Sequence, residues 1–370
     1  MYRIKYKMLA MGLALLMCAS VLIAAFLPEG GKAGGNMSAG TNDGGFSITE
    51  DDSLALADTS SAFDQSLTDI APEVSGKQWL IVSLEGESLA DRRGNKDLSE
   101  FAETGRGKSI ERSLQNEQAD FLDNLRGAGI PYELKYSYTM LTNAVAIRTD
   151  VKYAEKIATM KGVSSVNISE YYYAPQDEEV SNNANVWGTG IYKVDEEVAN
   201  EYSKGMVAAV LDTGIDSSHE VFQVEPEEPS LSKEMVAERV FNGVNSGVQG
   251  LDPDVTADDV YYNSKIPFAY DYADKDTDVY PSYSAHGTHV AGIIAGSPVD
   301  NIVDQDGKPI LDQNNEQMDF RGVAPQAQLV ICKVFTDNAD STSLGGAEEM
   351  DILAALEDCV KLKVDVINMS

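Results

Sequence analysis

The sequence predicts two α/β modules in series behind an N-terminal export segment. Three observations carry this. From Gln78 to Ser169 apolar runs and helical spacings follow in the order β-α-β-β-α-β. From Met206 onward, strands that are apolar at every position alternate with helices, the pattern of a parallel sheet covered on both faces. Between the two lies a polar stretch, APQDEEVSNNANVWGTG. The 370 residues include 60 acidic and 28 basic ones, a formal net charge of −32. Such a surface repels phosphate backbones and anionic membranes and offers no basic footprint, which excludes nucleic acid as a partner.

The chain opens with MYRIKYK, whose Arg3, Lys5 and Lys7 precede an uncharged apolar run from Met8 to Leu27. Residues 1–27 therefore read as a signal peptide or signal anchor, and the chain as exported. Small residues such as Ala25 favour cleavage. Left uncut, a run of roughly 20 residues spans a bilayer, so membrane contact is expected only through this segment. Cys18 is preceded by Met17 where a lipoprotein cysteine needs a small residue. Residues 28–75, with stretches such as GGKAGGNMSAGTNDGG, hold too little apolar material to offset ordering entropy and are expected to be a disordered linker.

The first module covers residues 76–173. QWLIVSL (Gln78 to Leu84) reads as a strand, and Ile110, Leu114, Phe121, Leu122 and Leu125 recur at helical spacing before Gly127 closes the helix. YELKYSYTML and AVAIRT read as two strands, Asp150 caps a short helix through Met160, and GVSSVNIS is a last strand. The order is ferredoxin-like, an arrangement that hosts many unrelated functions. Residues 174–186 are expected to be an exposed linker open to proteolysis, and the second module to start near Trp187.

In the second module the strand MVAAVL, a helix opened by HGTHVAGIIAG, the strand QLVICKVF, a helix from about Gly346 to Leu362 and the strand VDVINM follow in turn. Two polar segments, about 223–265 and 299–319, read as surface insertions. Beyond the signal segment only Cys332 and Cys359 remain, too few for a disulfide framework. They are expected to pack as small apolar residues, with one bridge between them as the alternative.

Of the three histidines, His286 and His289 lie together in SAHGTHVAGIIAG. A zinc helix needs two histidines four apart with a glutamate between them; here the spacing is three and Gly287 and Thr288 intervene, so no metal site is expected. His289, followed by Val290 and Ala291, is expected in the core. His286 stands at the helix entrance, where a ring can face solvent and a substrate. VLDTGID puts Asp212 at the carboxyl end of a buried parallel strand, the edge where open α/β sheets keep their ligand crevice. The same Asp is equally readable as a turn residue. A buried carboxylate accepting the Nδ1 hydrogen of an imidazole holds it in one tautomer and stabilises the imidazolium. Asp212 and His286 have the chemistry for that pair, and spacing alone leaves open whether they meet. His219 is read as a surface or local structural residue.

VAAVLDTGID, HGTHVAGIIAG, GVAPQAQLVICKV and VDVINMS resemble, in that order, the successive blocks of the subtilisin-like serine proteases, the subtilases, and the Asp-before-His order agrees. NAVAIRTDVKYAEKIATMKGVSSVNIS resembles the inhibitor I9-type propeptide of secreted subtilases, and AYDYADKDTDVY is similar to bacterial cell-envelope proteinases of the lactocepin and complement-cleaving peptidase type. The resemblance implies that residues 187–370 are the N-terminal part of a subtilisin-like three-layer domain with a parallel sheet. It implies Asp212 as triad carboxylate and His286 as general base. Leu344, Gly345, Gly346 and Ser370 would border a cleft in which a protein or peptide substrate adds as an extended strand. It also implies that residues 76–173 act as an intramolecular inhibitor, and that the protein is bacterial and secreted or held at the cell surface. No cofactor is needed for the chemistry. Structural calcium stays open: Val221 stands where many subtilisins keep a ligating Asp, and DYADKDTD reads as oxygen ligands or as a solvated acidic loop. The downstream oxyanion asparagine and the Gly-Thr-Ser block with the nucleophile do not occur up to Ser370. The expectation is thus an N-terminal fragment of a longer serine endopeptidase. The alternative is a truncated, inactive product whose propeptide module inhibits or helps to fold another protease.

Overall fold

The computed structural model describes residues 76–173, 195–241, 255–303, 307–311, 315–337 and 345–370. The expected signal segment, the spacer 28–75, the linker 174–186 and Leu344 lie outside the described residues. Among those described, no helix is long and apolar enough to cross a membrane.

The first module runs β1 (Lys77–Leu84), α1 (Leu89–Arg92), α2 (Leu98–Glu103), α3 (Gly105–Gly127), β2 (Glu133–Tyr138), β3 (Ala144–Asp150), α4 (Ala154–Ala158) and β4 (Val163–Ile168), followed by a short strand β5 (Tyr171–Tyr173). Strands β1 to β4 form one antiparallel sheet in the order β2-β3-β1-β4. Alternation along β1 sends Leu80, Val82 and Leu84 to one face, where they meet Phe121, Leu122 and Leu125 of α3. Ile81 goes to the other face with Tyr136, Tyr138, Ala144 and Ala146. All five residues expected at helical spacing on α3 are buried. The helix ends at Gly127 as read, but the left-handed residue that turns the chain is Gly129, φ +69°, after an Ala128 cap.

The second module runs α5 (Glu196–Ser203), β6 (Val207–Asp212), α6 (Lys233–Val236), α7 (Ala257–Val260), β7 (Phe268–Asp271), α8 (His286–Ala295), β8 (Gln328–Lys333), β9 (Gly346–Glu348), α9 (Glu349–Leu362) and β10 (Val366–Met369). A parallel sheet in the order β10-β6-β8-β7 is its centre. Every residue of β6, β7 and β8 is buried, as continuously apolar runs require. Ala208 and Val210 face Ala291 and Ala295 of α8, while Ala209 and Leu211 face Ala354, Ala355 and Cys359 of α9, giving three layers. The same α9 side of the core takes in the outer face of the first module's sheet, so Tyr136, Tyr138 and Ala146 pack in one cluster with Met350 and Ala354.

Two readings need correction. Segment 223–265 is not simply a surface insertion, because Leu231, Val236, Val240 and Val260 are buried beside Phe268 and Tyr270 and extend the core past the edge strand β7. Gly346 does not open the helix: Gly346–Glu348 is a strand, and α9 begins at Glu349. Cys332 and Cys359 are free, buried thiols with their Sγ atoms 3.9 Å apart.

Candidate active site

Asp212 is the last residue of β6 and its side chain is 1% exposed. His286 is the first residue of α8, with 27% of its side chain exposed. The two meet: His286 Nδ1 lies 2.8 Å from Asp212 Oδ1 and 3.0 Å from Oδ2. A carboxylate in that place requires the ring to carry its proton on Nδ1, which leaves Nε2 free to take one.

Local sequence explains the encounter. The Thr213 hydroxyl donates to the carbonyl of Ser284 (2.9 Å) and accepts from Gly287 N–H (3.0 Å), while Thr288 Oγ1 accepts from Asp216 N–H (2.9 Å). The turn after β6 and the first turn of α8 are thus stitched to each other on both sides of the pair. Gly287 is required for the approach, since a Cβ there would lie 2.2 Å from the Gly214 carbonyl oxygen. Gly214 itself has φ +110°, where a side chain is strained. Thr213 N–H donates to Asp212 Oδ1 at 2.7 Å, so the oxygen nearest the imidazole is also held by main chain.

His289 is exposed, contrary to the expectation of a core position. The buried stripe of α8 consists of Gly287, Ala291, Gly292 and Ala295, and His289 stands off it. His219 caps the short turn Glu220–Phe222, in keeping with a local structural role.

Of the residues expected at the cleft, Gly345 has φ +58° and turns the chain into β9, and Gly346 begins that strand. β9 pairs antiparallel with β5 in the register Tyr171↔Glu348, Tyr172↔Ala347 and Tyr173↔Gly346. The Tyr171 ring lies directly over Gly346, where a Cβ would come within 2.0 Å of it. The hydroxyl of Ser169 donates to Glu348 Oε2 (2.8 Å) and Glu349 N–H donates to the carbonyl of Glu170 (2.8 Å). Ser370 follows β10, which runs beside β6 with Met369 opposite Leu211, so it comes next to the level of Asp212 and is exposed.

Sequence reasoning did not find the charged groups buried around this region. Glu357 of α9 accepts from three successive backbone N–H groups of the first module, Thr139 (3.1 Å), Met140 (2.8 Å) and Leu141 (2.8 Å). Asp351 accepts from the Tyr136 hydroxyl (2.8 Å) and pairs with Lys135 (2.5 Å). Burial pushes the Glu357 carboxyl up to about 7 and that of Asp351 to about 6. At the carboxyl edge of the sheet, the carboxylates of Asp271, Asp274 and Asp337 lie within 4.8 Å of one another. The group does not suit a divalent cation, because the Lys333 ammonium pairs with all three of its members. Burial pushes Asp271 up to about 7 against the pull of Lys333; burial also works to lower Lys333, but the carboxylates outweigh it and hold the ammonium above its ordinary range.

A buried carboxylate on a parallel strand, bonded to an imidazole at a helix entrance, is an arrangement that can hold the ring in one tautomer, ready to take a proton. Comparison with known proteins makes the class specific. Residues 203–370 match the Subtilase family of peptidases (S8). The PII-type proteinase of Lactococcus lactis subsp. cremoris is 30% identical over 239 residues, covering 63% of this chain and 11% of that protein. The major intracellular serine protease of Bacillus subtilis (strain 168) is 24% identical over 208 residues, 56% of this chain and 44% of that protein. The chain therefore spans only a small part, 11%, of the length of the lactococcal relative. Fervidolysin from Fervidobacterium pennivorans, a keratinolytic enzyme related to subtilisin, is a solved structure with TM-score 0.43 and 16% identity, covering 82% of this chain and 36% of that one.

Proposed function

We propose that this chain belongs to a secreted or cell-surface serine endopeptidase of the subtilisin type, in which Asp212 is the carboxylate and His286 the general base of an Asp-His-Ser triad. The observation that carries the reading is the 2.8 Å contact of His286 Nδ1 with the buried Asp212 carboxylate. His286 Nε2 would take the proton of a serine hydroxyl as that oxygen attacks a peptide carbonyl. Asp212 would stabilise the imidazolium, which then returns the proton to the leaving amine. The serine and the oxyanion donor belong to blocks of the family's sequence that do not occur among these residues.

Residues 76–173 would be the propeptide, held on α9 by Glu357 and Asp351. The antiparallel pairing of Tyr171–Tyr173 with β9 supports this, because a peptide substrate adding as a strand would use the same edge, including Gly345 and Gly346. Maturation would follow a cut in 174–186 after export directed by residues 1–27. Substrates would be proteins or peptides, and calcium, if it serves this protein, would be structural.

The test is expression of the full-length protein with Asp212→Asn and His286→Ala. Each is expected to lower kcat/KM on a peptide substrate by about 10⁴-fold, Asp212→Asn because it favours the wrong tautomer. Full activity in either variant, or a secreted mature form that begins well upstream of Ala174, would overturn the reading.

A further inference from the structure

Lys333 is the last residue of β8, paired in register with Asp212 on β6 and with Asp271 on β7. Its side chain is 1% exposed. An ammonium at that depth needs anionic partners. They come from several elements: Asp271 in direct contact and Asp274 at 3.8 Å from the end of β7, and Asp337 at 2.9 Å from the loop after β8.

Each carboxylate in turn holds main chain or a hydroxyl. Asp271 accepts from Asp274 N–H (2.9 Å), Asp274 from Asp337 N–H (2.9 Å) and from the Thr336 hydroxyl (2.5 Å), and Asp337 from Ser282 N–H (3.3 Å). Thr336 N–H donates to the carbonyl of Gly346 (3.1 Å), at the start of β9. The lysine stem passes beside the turn after Asp212, where a Cβ on Gly214 would lie 2.9 Å from Lys333 Cδ. Through its carboxylates the ammonium therefore links Ser282, ahead of His286, with Thr336 and Asp337 beside β9, while its stem packs against the turn that follows Asp212. A buried ion pair adds little net stability over apolar packing. Its position between three loops, at the edge where the Asp212–His286 pair sits, gives it a different use.

We propose that Lys333 is a positioning residue for the proteolytic site, fixing the peptide-holding strand β9 relative to the His286 imidazole and offsetting the three carboxylates beside it. The inference rests on the proteolytic reading above. With all four groups ionised the cluster carries a net charge of −2 (three carboxylates less one ammonium). Asp337→Asn removes one negative charge, whereas in Lys333→Gln the loss of the ammonium is offset in part because Asp271, raised to about 7 even beside Lys333, then holds its proton more firmly; the two variants act on the imidazolium in opposite directions, Lys333→Gln the more weakly.

The test uses the secreted full-length protein, every variant cut within 174–186 by an added protease so that the Asp212→Asn control, which cannot process itself, is compared in the same form. Two substrates are compared, a peptide long enough to pair with β9 and a short acyl ester that cannot reach it. Lys333→Gln is expected to raise KM for the peptide about tenfold with the ester changed less than about twofold. It is expected to move the acid limb of kcat/KM upward by about a quarter of a pH unit, and Asp337→Asn to move it downward by about half a unit. Equal losses on both substrates with an unmoved acid limb, or shifts of the same sign, would reduce Lys333 to a structural ion pair. If Lys333→Gln is not secreted, Asp337→Asn decides alone: its side chain is 26% exposed and an asparagine oxygen can still accept from Ser282, so an unmoved limb overturns the proposal. If the parent cleaves neither substrate, or Asp212→Asn cleaves both as fast as the parent, the proteolytic reading falls and the role of Lys333 with it.

Discussion

Glu357→Ala tests how the two modules are joined. The carboxylate reaches from α9 to the backbone N–H groups of Thr139, Met140 and Leu141, just beyond the end of β2 at Tyr138. The first two bonds are buried and the third half-buried. Truncation leaves these donors without an acceptor, at about 1–3 kcal/mol for each one closed to water. Two such donors give roughly 2–6 kcal/mol, and the third, which water can reach, adds little. The gain from no longer burying a charge, visible in the raised carboxyl, offsets part of this. A net loss of about 3–4 kcal/mol is expected, in the range found when one partner of a buried charged network is removed. The assay is amide hydrogen exchange on the full-length protein together with urea unfolding. Amides 139–141 should exchange about 100-fold faster, and the first module should unfold at lower urea than the rest. Unchanged protection at those amides with a single unshifted transition would show that Glu357 does not join the modules.

Gly287→Ala should destabilise the protein by about 2–4 kcal/mol, because its Cβ would sit 2.2 Å from a backbone oxygen of the Asp212 turn; a thermal midpoint within 1 °C of the parent would contradict the packing described. Stability should fall as pH rises from about 4.5 to about 7. Glu357 and Asp351 are raised to about 7 and about 6 by burial, so over this window the folded chain keeps protons that the unfolded chain has lost. Thermal unfolding at pH 5.5 and pH 8 checks the sign, and Glu357→Gln should flatten the slope; a midpoint higher at pH 8 would refute it. Gly346→Ala should drive the Tyr171 ring off β9 and make the Ser169–Tyr173 tail several-fold more sensitive to limited proteolysis, and an unchanged cleavage rate would count against the contact.

What could be read in the sequence was the part written in local pattern. The apolar runs of β6 and β8 and the spacing on α3 name their own burial, and the Asp-Thr-Gly and His-Gly-Thr-His stretches carry the small residues and hydroxyls that join them. The rest depends on partners far along the chain. Gly346–Glu348 carries no strand signal of its own and becomes one because Tyr171–Tyr173 lies alongside. Lys333 and Glu357 sit within segments that read as ordinary strand and helix, and only tertiary contact shows that both are buried with partners. The exposure of His289 was legible after all: Gly287, Ala291 and Ala295 recur every four residues and mark the buried face, to which His289 does not belong.

The short strand β5 and its partner β9 belong to one chain, so while the backbone between them is intact the tail faces its groove at a local concentration on the order of millimolar, whatever the amount of protein around it. A cut within 174–186 ends that guarantee. From then on the same contact is a reversible association between two molecules, and how long it lasts depends on how far they have spread. On the proposed reading the protein would stay quiet where it is made and crowded, and become active as it diffuses away from the cell that released it.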